Sequence, residues 1–514
     1  MTSDARIHLT LNTPDLTTLH RGGMAGLWMT LKQLETLFPS SNSRPGNLSW
    51  LLTSRSISLD WQGKDFVVLD WLLKQSFQIS EQGLISLTGL TPSSISLINQ
   101  IHIHQAIKAT FLRLSKFYRA GKQVSQTCTI NSNQGIIKYQ TLQWYANQTF
   151  AEKLCDETGQ LLTDKIPIVS WLYLGATVRH ARLREHNKLV EKPEYALALL
   201  FLPVVCYHFI LHSDVFKIDE QQLRKYLIVI PEVNNLKLTA QRRWNLASLD
   251  YQDLHVTSLG EAALKYYSKD NLELQDNYQE KCQVWLYEKW KKQSHQRSVF
   301  EIQEVEIKTK TRETYKLASQ HFQTNRIFRY KNSFAVKVNP ILGLIVDNLA
   351  QELPWWSNFW EIIYERDMFG DLAEQLNYNR KGLITMLEHD QELEAYQDLI
   401  RAFHEALRII YRKIYDKTKK GEIPRIEREY ERIRGRLSRC YDEQSFADFL
   451  SNFLARAGLN SSLYNHWESI LPLMVDEVSW EKTRNIALIA LASYKPSEKP
   501  TDGSQENTPV MSEA

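Results

Sequence analysis

The sequence predicts an α+β protein with a mixed α/β N-terminal domain and an all-α C-terminal helical bundle. The chain has 514 residues, more than one ordinary hydrophobic core accommodates, so two or three domains are expected. Alternating apolar residues, which are typical of half-buried strands, recur only before residue 338. From residue 341 to about residue 492 the apolar positions indicate helices of moderate length, separated by glycine and proline.

These patterns define three regions. Residues 1–337 form the mixed domain and residues 338–495 form the helical bundle. Residues 496–514 are rich in Pro, Ser and Glu and have almost nothing to bury, so we expect this tail to be disordered. The remainder has an ordinary globular composition, because the whole chain is 43% hydrophobic and 24% charged.

The cysteines and the N-terminal residues favour a reducing, cytoplasmic environment. The five cysteines include no CxxC pair and no Cys/His group at zinc-ligand spacing, which excludes a zinc ribbon and a disulfide framework. Residues 1–12 contain no apolar core of a signal peptide. The longest apolar run, residues 195–211, contains Pro203 and His208 and is slightly short for a membrane span, so we expect a buried helix or helix–strand pair.

The first elements of the chain have distinct patterns. Residues 6–13 alternate like a strand, and Asp15 or Thr17 can cap a helix over residues 20–38. Each glycine in this helix would weaken an isolated helix by about 1 kcal/mol relative to alanine. Close packing against another backbone is the favoured reason for them, and a phosphate-binding loop is less favoured because the spacing matches no P-loop. The three glycines are Gly22, Gly23 and Gly26.

The next segments are expected to alternate between strands and helices. A hairpin turning at Gln62–Lys64 leads into a helix, and a second strand pair follows with Gly83 at its turn. Residues 101–119 begin as a strand that carries His102 and His104 on one face. No third ligand lies nearby at metal spacing, so structural histidines are favoured over a metal-binding pair.

Residues 121–150 predict a polar loop rich in amide and aromatic side chains. Asn and Gln can read base edges, and aromatic rings can stack on bases or wedge between them. An ordinary loop without a binding role is the alternative. The candidates for motif reading or duplex wedging in this loop are Asn131, Asn133, Gln134, Gln143, Trp144 and Asn147.

Further basic clusters lie between this loop and the bundle. Arg179, His180 and Arg182 follow a glycine turn and are also candidates for motif reading. A strand over residues 225–233, a helix within residues 260–268 and a helix over residues 278–300 are expected next. Close to the domain boundary lie three cations that can contact a nucleic-acid backbone: Arg326, Arg329 and Lys331.

A row of arginines follows one helical face within the bundle. We define the arginine row as Arg425, Arg428, Arg432, Arg436 and Arg439, which recur at steps of three or four. The apolar residues Ile426, Tyr430, Ile433 and Leu437 follow the same period on another face. The preceding amphipathic segment adds Arg401, Arg408 and Arg412. Residues 401–440 contain thirteen Lys and Arg against six Asp and Glu, although the net charge of the chain is only +3.

This concentration of charge has two interpretations. In the first, the helix is solvated and its arginines form surface ion pairs worth a few tenths of a kcal/mol each. Glu427, Glu429 and Glu431 lie between the arginines and are the available partners. In the second, the arginines bind a phosphate backbone, which removes the repulsion between regularly spaced cations and accepts the forked hydrogen bonds that arginine donates.

Several of these segments resemble one known family. HRGGMAGLWMTL, DWLLKQSFQISEQGLISLTGL, WLYLGATVRH, ALALLFLPVVCYHF and the Arg-rich bundle are similar, in this order, to the large subunit of type I CRISPR Cascade complexes. The similarity is greatest to the type I-B and Myxan-like branch. It covers about residues 1–495 and rests on the order of features, without an invariant catalytic motif.

The resemblance implies a non-catalytic subunit without a cofactor. Such a subunit lies near the 5′ handle of the guide RNA (crRNA), contacts the protospacer-adjacent motif in double-stranded DNA, helps to unwind the duplex and stabilises the R-loop. Its implied partners are the backbone, handle-binding and small subunits of Cascade, and a helicase-nuclease or transposition adaptor. Within this branch the bundle can also be translated separately as the small subunit; Met368 and Met386 lie in the appropriate region.

Two other classes stay open on the residues alone. A guide-RNA-processing or metal-dependent nuclease would use His102, His104 or His180 as general acid or base, or carboxylates on Mg²⁺. The sequence contains no HD pair, no DEDD-like spacing and no P-loop. The nearest acidic cluster consists of Glu365, Asp367 and Asp371. A purely architectural subunit would assemble normally but would not use the arginines for DNA affinity.

Overall fold

In the computed structural model the chain divides into two units. The first comprises residues 1–319 and 324–353, and the second comprises residues 320–323 and 354–514. The boundary expected at residue 338 lies within the first unit, ahead of its last helix. The structure describes residues 6–91, 94–130, 133–168, 172–173, 189–212, 216–217, 225–268, 280–289, 298–322, 326–330, 333–360, 372–418, 426–474 and 480–494. The tail, residues 496–514, lies outside these ranges.

The first unit mixes helices and strands, which confirms the predicted α/β region. Its described helices are α1 (Thr18–Leu37), α2 (Asp65–Ser76), α3 (Leu97–Ala109), α4 (Ala151–Leu154), α5 (Pro193–Leu200), α6 (Leu202–Val205), α7 (Leu236–Asn245), α8 (Leu259–Ser268), α9 (Thr309–His321) and α10 (Pro340–Ala350). Its described strands are β1 (Ile7–Thr10), β2 (Ser49–Leu52), β3 (Ser56–Asp60), β4 (Phe77–Ile79), β5 (Ile85–Leu87), β6 (Tyr118–Ile130), β7 (Asn133–Tyr145), β8 (Ile166–Pro167), β9 (Val190–Glu191), β10 (Tyr207–Leu211), β11 (Phe216–Lys217), β12 (Lys225–Pro231), β13 (His255–Val256), β14 (Glu280–Lys289), β15 (Ser298–Ile307), β16 (Arg326–Tyr330) and β17 (Ser333–Lys337).

The largest described sheet has five strands in the order β13–β10–β12–β14–β15. Its pairs are antiparallel except β10 with β13, and β12 is paired on both edges. Residues 226–231 of β12 are all buried, which explains why the strand has a continuous apolar sequence without alternation. The other sheets have the orders β1–β3–β2, β11–β17–β16, β4–β5, β6–β7 and β8–β9.

Helix α1 is the centre of the N-terminal core, and it packs closely against α5 and α6. A Cβ atom at Gly23 would overlap the carbonyl group of Ala198, and one at Gly26 would overlap that of Phe201. The close-packing interpretation of these glycines is therefore confirmed. Thr17 is the N-cap of α1, as expected, and residues 195–211 form the expected succession of helix and strand.

The strand predicted at the start of residues 101–119 is wrong, because these residues lie in helix α3. Ile101, His102 and His104 are all buried, at 1%, 3% and 0% exposure. A helix that is covered on more than one side does not show a clean helical period. The alternation of Ile and His over residues 101–104 therefore has the period of a strand although it lies in a helix.

The polar loop predicted over residues 121–150 is also wrong, because most of this segment is a long antiparallel hairpin. Strands β6 and β7 have 13 residues each. Their register runs from Tyr118 opposite Tyr145 to Ile130 opposite Asn133, with an irregularity around Ala120. Three of the amide side chains that suggested a loop, those of Gln134, Gln140 and Gln143, occupy exposed positions of β7.

Two further predictions need correction. The helix expected over residues 278–300 is replaced by β14 and β15, which pair with Val284 opposite Gln303. Both Val284 and Trp285 are buried, so apolar residues on both faces of β14 concealed its alternation. The turn at Gln62–Lys64 connects β3 to α2 and does not close a hairpin, whereas the strand pair β4–β5 around Gly83 is confirmed.

The described part of the second unit beyond residue 360 is helical, which confirms the predicted bundle. Its helices are α11 (Leu372–His389), α12 (Gln397–Lys417), α13 (Ile426–Leu437), α14 (Glu443–Ala457), α15 (Ser461–Asn465), α16 (Trp467–Met474) and α17 (Trp480–Ser493). Helix α12 packs against α14, α15 and α17, with the rings of Phe403 and Phe453 4.4 Å apart. Gly458 ends α14 with φ +80, whereas Pro472 lies inside α16 and does not separate two helices.

Candidate nucleic-acid interface

The described members of the arginine row lie on the exposed side of α13 and of the turn that follows it. Ile433 and Leu437 on the opposite side are buried at 2% and 0% exposure. The helix therefore has the two faces that the sequence predicts. The exposed members of the row are Arg428, Arg432, Arg436 and Arg439. Arg425 lies outside the described residues.

One member of the row is already paired with a carboxylate. Arg432 donates to Oε1 of Glu429 at 2.9 Å, and Arg456 of α14 donates to the same oxygen at 2.5 Å. Glu429 is nearly buried, so this pair of contacts joins α13 to α14. Arg434, which is outside the row, is bound to Glu431 at 2.5 Å. The ion-paired interpretation therefore holds for Arg432.

The other described members of the row have no such partner. Within the described ranges, Arg428, Arg436 and Arg439 form no ion pair within 4.0 Å. The guanidinium of Arg436 lies 5.7 Å from the ring centre of Phe449 and remains exposed. Three exposed guanidinium groups on one side of a helix thus remain available to anions.

Helix α12 contributes the second set of arginines. Arg401 and Arg408 are 65% and 63% exposed, and they lie 3.6 Å from Asp398 and 3.1 Å from Glu405. Arg412 is exposed as well. Arg401 and Arg408 line a groove of about 380 Å³, together with His404 and Tyr494.

Glu405 fixes one wall of this groove. It accepts hydrogen bonds from the hydroxyl of Ser461 and the backbone N–H of Ser462, both at 2.7 Å, besides that from Arg408. Burial raises the pKa of Glu405, but the hydrogen bonds from Ser462 and Ser461 outweigh it and lower the pKa to about 2. Glu405 is therefore an anion that holds Arg408 in place at neutral pH.

The cations expected near the domain boundary lie partly on a strand. Arg326 and Arg329 belong to β16, where their backbone positions face Lys337 and Phe334 of β17. Lys331 lies outside the described residues.

The motif-reading candidates occupy different environments. Gln134 and Gln143 are exposed on β7, whereas Asn133 at the hairpin end and Trp144 are half-buried. Asn147 is 5% exposed, and its amide donates to the carbonyl of Leu200 at 3.2 Å, so it contributes to packing. The remaining candidates, Asn131, Arg179, His180 and Arg182, lie outside the described residues.

Two of the histidines proposed for acid–base chemistry, His102 and His104, are internal. His102 Nε2 lies 2.9 Å from the carbonyl oxygen of His208, and His104 Nε2 lies 2.7 Å from that of Gln140. His104 Nδ1 also accepts from the backbone N–H of Ile85 at 3.1 Å. Burial lowers the pKa of His104 to about 4, which leaves its ring neutral at physiological pH. The structural interpretation of both histidines is confirmed.

The described residues contain no cluster that suits a metal ion. Among the residues that the structure describes, no group of three or more His, Cys, Asp and Glu side chains could hold a metal ion. The acidic cluster Glu365, Asp367 and Asp371 lies outside those residues, as does His180. No described helix is long and apolar enough to cross a lipid bilayer.

One property of the hairpin was missed in the sequence. The seventy residues from Gln82 to Ala151 contain no Asp or Glu and six Lys or Arg, in a chain with 59 acidic residues overall. The hairpin β6–β7 and the helix α3 beside it lie within this segment. A run without carboxylates is visible in the sequence, and it could have directed attention to both strands of the hairpin.

Comparisons with known proteins find similarity to two family models and to a CRISPR-associated protein. Residues 8–200 match the family model of the DevT N-terminal domain, and residues 388–513 match that of the DevT C-terminal domain. The chain is also 27% identical over 528 residues to the CRISPR-associated protein Cas8a1/Csx13 of Myxococcus xanthus (strain DK1622). That similarity covers 96% of this chain and 89% of the relative.

Proposed function

We propose that this chain, a Cas8-like CRISPR-associated protein by its similarity along 96% of its length, is the non-catalytic large subunit of an RNA-guided Cascade complex. The similarity to Cas8a1/Csx13 is the observation that carries the proposal. The matches to both DevT domains support it, because they lie at opposite ends of the chain. The type I-B branch is part of this proposal.

In this proposal the first unit recognises the protospacer-adjacent motif and helps to open the duplex. Phosphate contacts give affinity and register, while base contacts give sequence discrimination. The exposed amides of the hairpin support a discriminating role, since Gln side chains can bind base edges. The basic cluster Arg179, His180 and Arg182 remains a second candidate for motif reading.

The bundle holds nucleic-acid strands in the same proposal. Arg428, Arg436 and Arg439 are exposed cations of α13 and of the turn after it, and Arg401, Arg408 and Arg412 are exposed cations of α12. Arginine binds phosphate oxygens through forked hydrogen bonds. We assign these residues, with Arg326, Arg329 and Lys331, to the backbones of the R-loop. Guide RNA, the other Cascade subunits, and a helicase-nuclease or transposition adaptor are the proposed partners.

A selection experiment tests the proposal. Guide-RNA complexes assembled with and without this chain would be presented with duplexes whose base pairs beside the target are randomised. We expect one short flanking motif to be enriched only when the chain is present. The bound DNA would be sequenced, and assembly of both complexes would be measured by size-exclusion chromatography.

Two other outcomes would contradict the proposal. Stable assembly with no chain-dependent enrichment would make the chain architectural and would assign motif reading to another subunit. Cleavage of labelled RNA or DNA by the isolated chain with Mg²⁺ would instead make it an enzyme.

A further inference from the structure

One side of the hairpin β6–β7 is a continuous polar surface. Each β-strand directs alternate side chains to opposite faces, so every second residue of both strands shares this side. All eight positions are exposed. We define the ribbon face as Gln123, Ser125, Thr127 and Thr129 of β6, with Gln134, Ile136, Lys138 and Gln140 of β7. They form the cross-strand pairs Gln123–Gln140, Ser125–Lys138, Thr127–Ile136 and Thr129–Gln134.

The other side of the hairpin is fixed to the core of the first unit. Ile130, Ile137 and Tyr139 are buried, and a Cβ atom at Gly135 would overlap the ring of Phe334. A hairpin that stood alone in water would be marginally stable. This hairpin is instead packed along one side, which gives the ribbon face a fixed shape.

Helix α3 secures the outer edge of β7 as well. Gln105 donates to the carbonyl of Lys138 at 2.9 Å, and His104 lies 2.7 Å from the carbonyl oxygen of Gln140. Lys108 donates to the side-chain oxygen of Gln140 at 3.0 Å. These contacts hold the backbone beside two members of the ribbon face, so their side chains project from a rigid support.

The charge around the ribbon face suits a polyanion. No Asp or Glu lies between Gln82 and Ala151, so neither strand nor α3 contains a carboxylate that would repel phosphate. Lys122 and Arg119 are exposed on β6 beside the face, and Lys138 lies within it. An exposed polar surface of a soluble protein ordinarily carries both signs of charge. This one carries only positive charge.

We propose that the ribbon face enters the major groove of duplex DNA beside the target and reads base pairs there. The inference rests on the proposed function. That function leaves open which residues read the motif and in which groove they read it, and the inference names both. The major groove of B-DNA is about 12 Å wide and admits a two-stranded β-ribbon. Residues 123–129 extend about 20 Å at roughly 3.3 Å per residue, enough to follow several base pairs.

The side chains of the ribbon face match the chemistry of that groove. Gln can bind N6 and N7 of adenine, Lys can bind O6 and N7 of guanine, and Ser and Thr can bind several bases. Ile136 and the threonine methyl groups can contact the thymine methyl group. Duplex RNA is a poorer fit, because its major groove is deep, narrow and closed to side chains.

The test uses the assembled guide-RNA complex with Gln123→Ala/Lys138→Ala. The matched control is Lys237→Ala/Gln241→Ala, which removes an exposed lysine and an exposed glutamine from α7. Both changes remove surface groups, so the complexes should assemble normally. We expect the ribbon variant to reduce discrimination between the enriched motif and other flanking sequences by roughly 10- to 100-fold, and the control to leave it unchanged.

Modified bases in the motif identify the groove. Replacing its purines by 7-deazapurines removes the N7 acceptors of the major groove, whereas replacing guanine by inosine removes the amino group of the minor groove. We expect weaker binding of wild-type complex to 7-deazapurine duplexes and little change with inosine. Sensitivity to inosine alone would overturn the inference.

The remaining outcomes separate this inference from the proposed function. Motif enrichment that survives unchanged in the ribbon variant would overturn the ribbon face as reader and leave the proposed function standing. Loss of guide-RNA binding without loss of motif discrimination would assign the face to RNA and overturn the DNA-groove inference. Absence of enrichment with the wild-type chain would remove both.

Discussion

At the scale of single residues, Gly26 has no room for any side chain. The group that a Cβ atom would overlap is the backbone carbonyl of Phe201, which cannot rotate away. We expect Gly26→Ala to destabilise the first unit by about 1–3 kcal/mol or more, since overpacking forces backbone shifts. The shift in the urea midpoint of the purified chain would measure this effect.

A second glycine provides the control for that substitution. Gly435 lies inside α13, and nothing approaches within 4 Å of the position that its Cβ would take. Gly435→Ala should therefore stabilise α13 by roughly 0.5–1 kcal/mol. Equal destabilisation by both changes would contradict the close packing of α1 against α5 and α6.

Glu405 makes the stability of the second unit depend on pH. Its pKa is about 2 in the folded chain, whereas the ordinary pKa of a glutamate side chain is 4.5, so the folded state favours the carboxylate. The resulting stabilisation is fully present above about pH 4.5 and is lost as the pH falls towards 2. We expect Glu405→Gln to lower the thermal midpoint at pH 7, with a difference from wild type that shrinks below pH 4.5.

An exposed glutamate separates this effect from the loss of negative charge. Glu394 is exposed in the segment ahead of α12, and Glu394→Gln changes the net charge equally. We expect this variant to melt like wild type at pH 7. A difference for Glu405→Gln that stays constant from pH 7 to pH 3 would contradict the depressed pKa.

At the scale of elements, long segments with one exposed face were predictable. The bundle helices α12, α13 and α14 have a buried face and an exposed face, so their apolar period is visible in the sequence. Helix α13 belongs to this class, which explains why its exposed arginines could be identified without a structure. A regular apolar period in the sequence therefore indicates that one side of an element contacts water.

Two elements without that asymmetry were misassigned. Helix α3 is buried on more than one side, and β14 is buried on both faces, so neither shows its own period. The strands β6 and β7 were predicted as a loop for a different reason, because glutamine and threonine at their exposed positions are also common in loops. The helix α3 and the strand β17, which pack against the hairpin, lie outside its two strands in the sequence, and single-segment patterns do not report such contacts.

The same distinction applies to the candidate interface. The exposure of the arginine row was predictable from helical spacing, but the sequence offered three glutamates as possible partners and did not select among them. The structure selects Glu429 for Arg432, because Glu429 is also bound by Arg456 from another helix. Contacts between helices of the bundle therefore decide which of the described arginines are ion-paired and which are not.

At the scale of the whole molecule, the charge of the chain is concentrated in two places. The net charge of +3 is small, yet residues 401–440 carry an excess of basic residues and residues 82–151 carry no acidic ones. A protein that holds strands with one surface and reads a duplex with another needs such a division. Screening by salt should consequently affect strand holding more than motif discrimination, since only phosphate contacts release counterions.

The arginine row provides the sharpest test of strand holding. Three of its members are exposed without an ion-pair partner among the described residues, so Arg428→Ala/Arg436→Ala/Arg439→Ala removes three cations available to phosphate. On single-stranded DNA each phosphate contact contributes about 0.7 to the slope of log affinity against log salt concentration. We expect the triple variant to lose roughly 2 from that slope, measured with complexes bound to target DNA between 50 and about 300 mM salt. The control, Arg434→Ala/Arg456→Ala, removes arginines that are already bound to Glu431 and Glu429, so its slope should change little. An unchanged slope in the triple variant would show that the arginine row does not contact phosphate and would favour an architectural bundle.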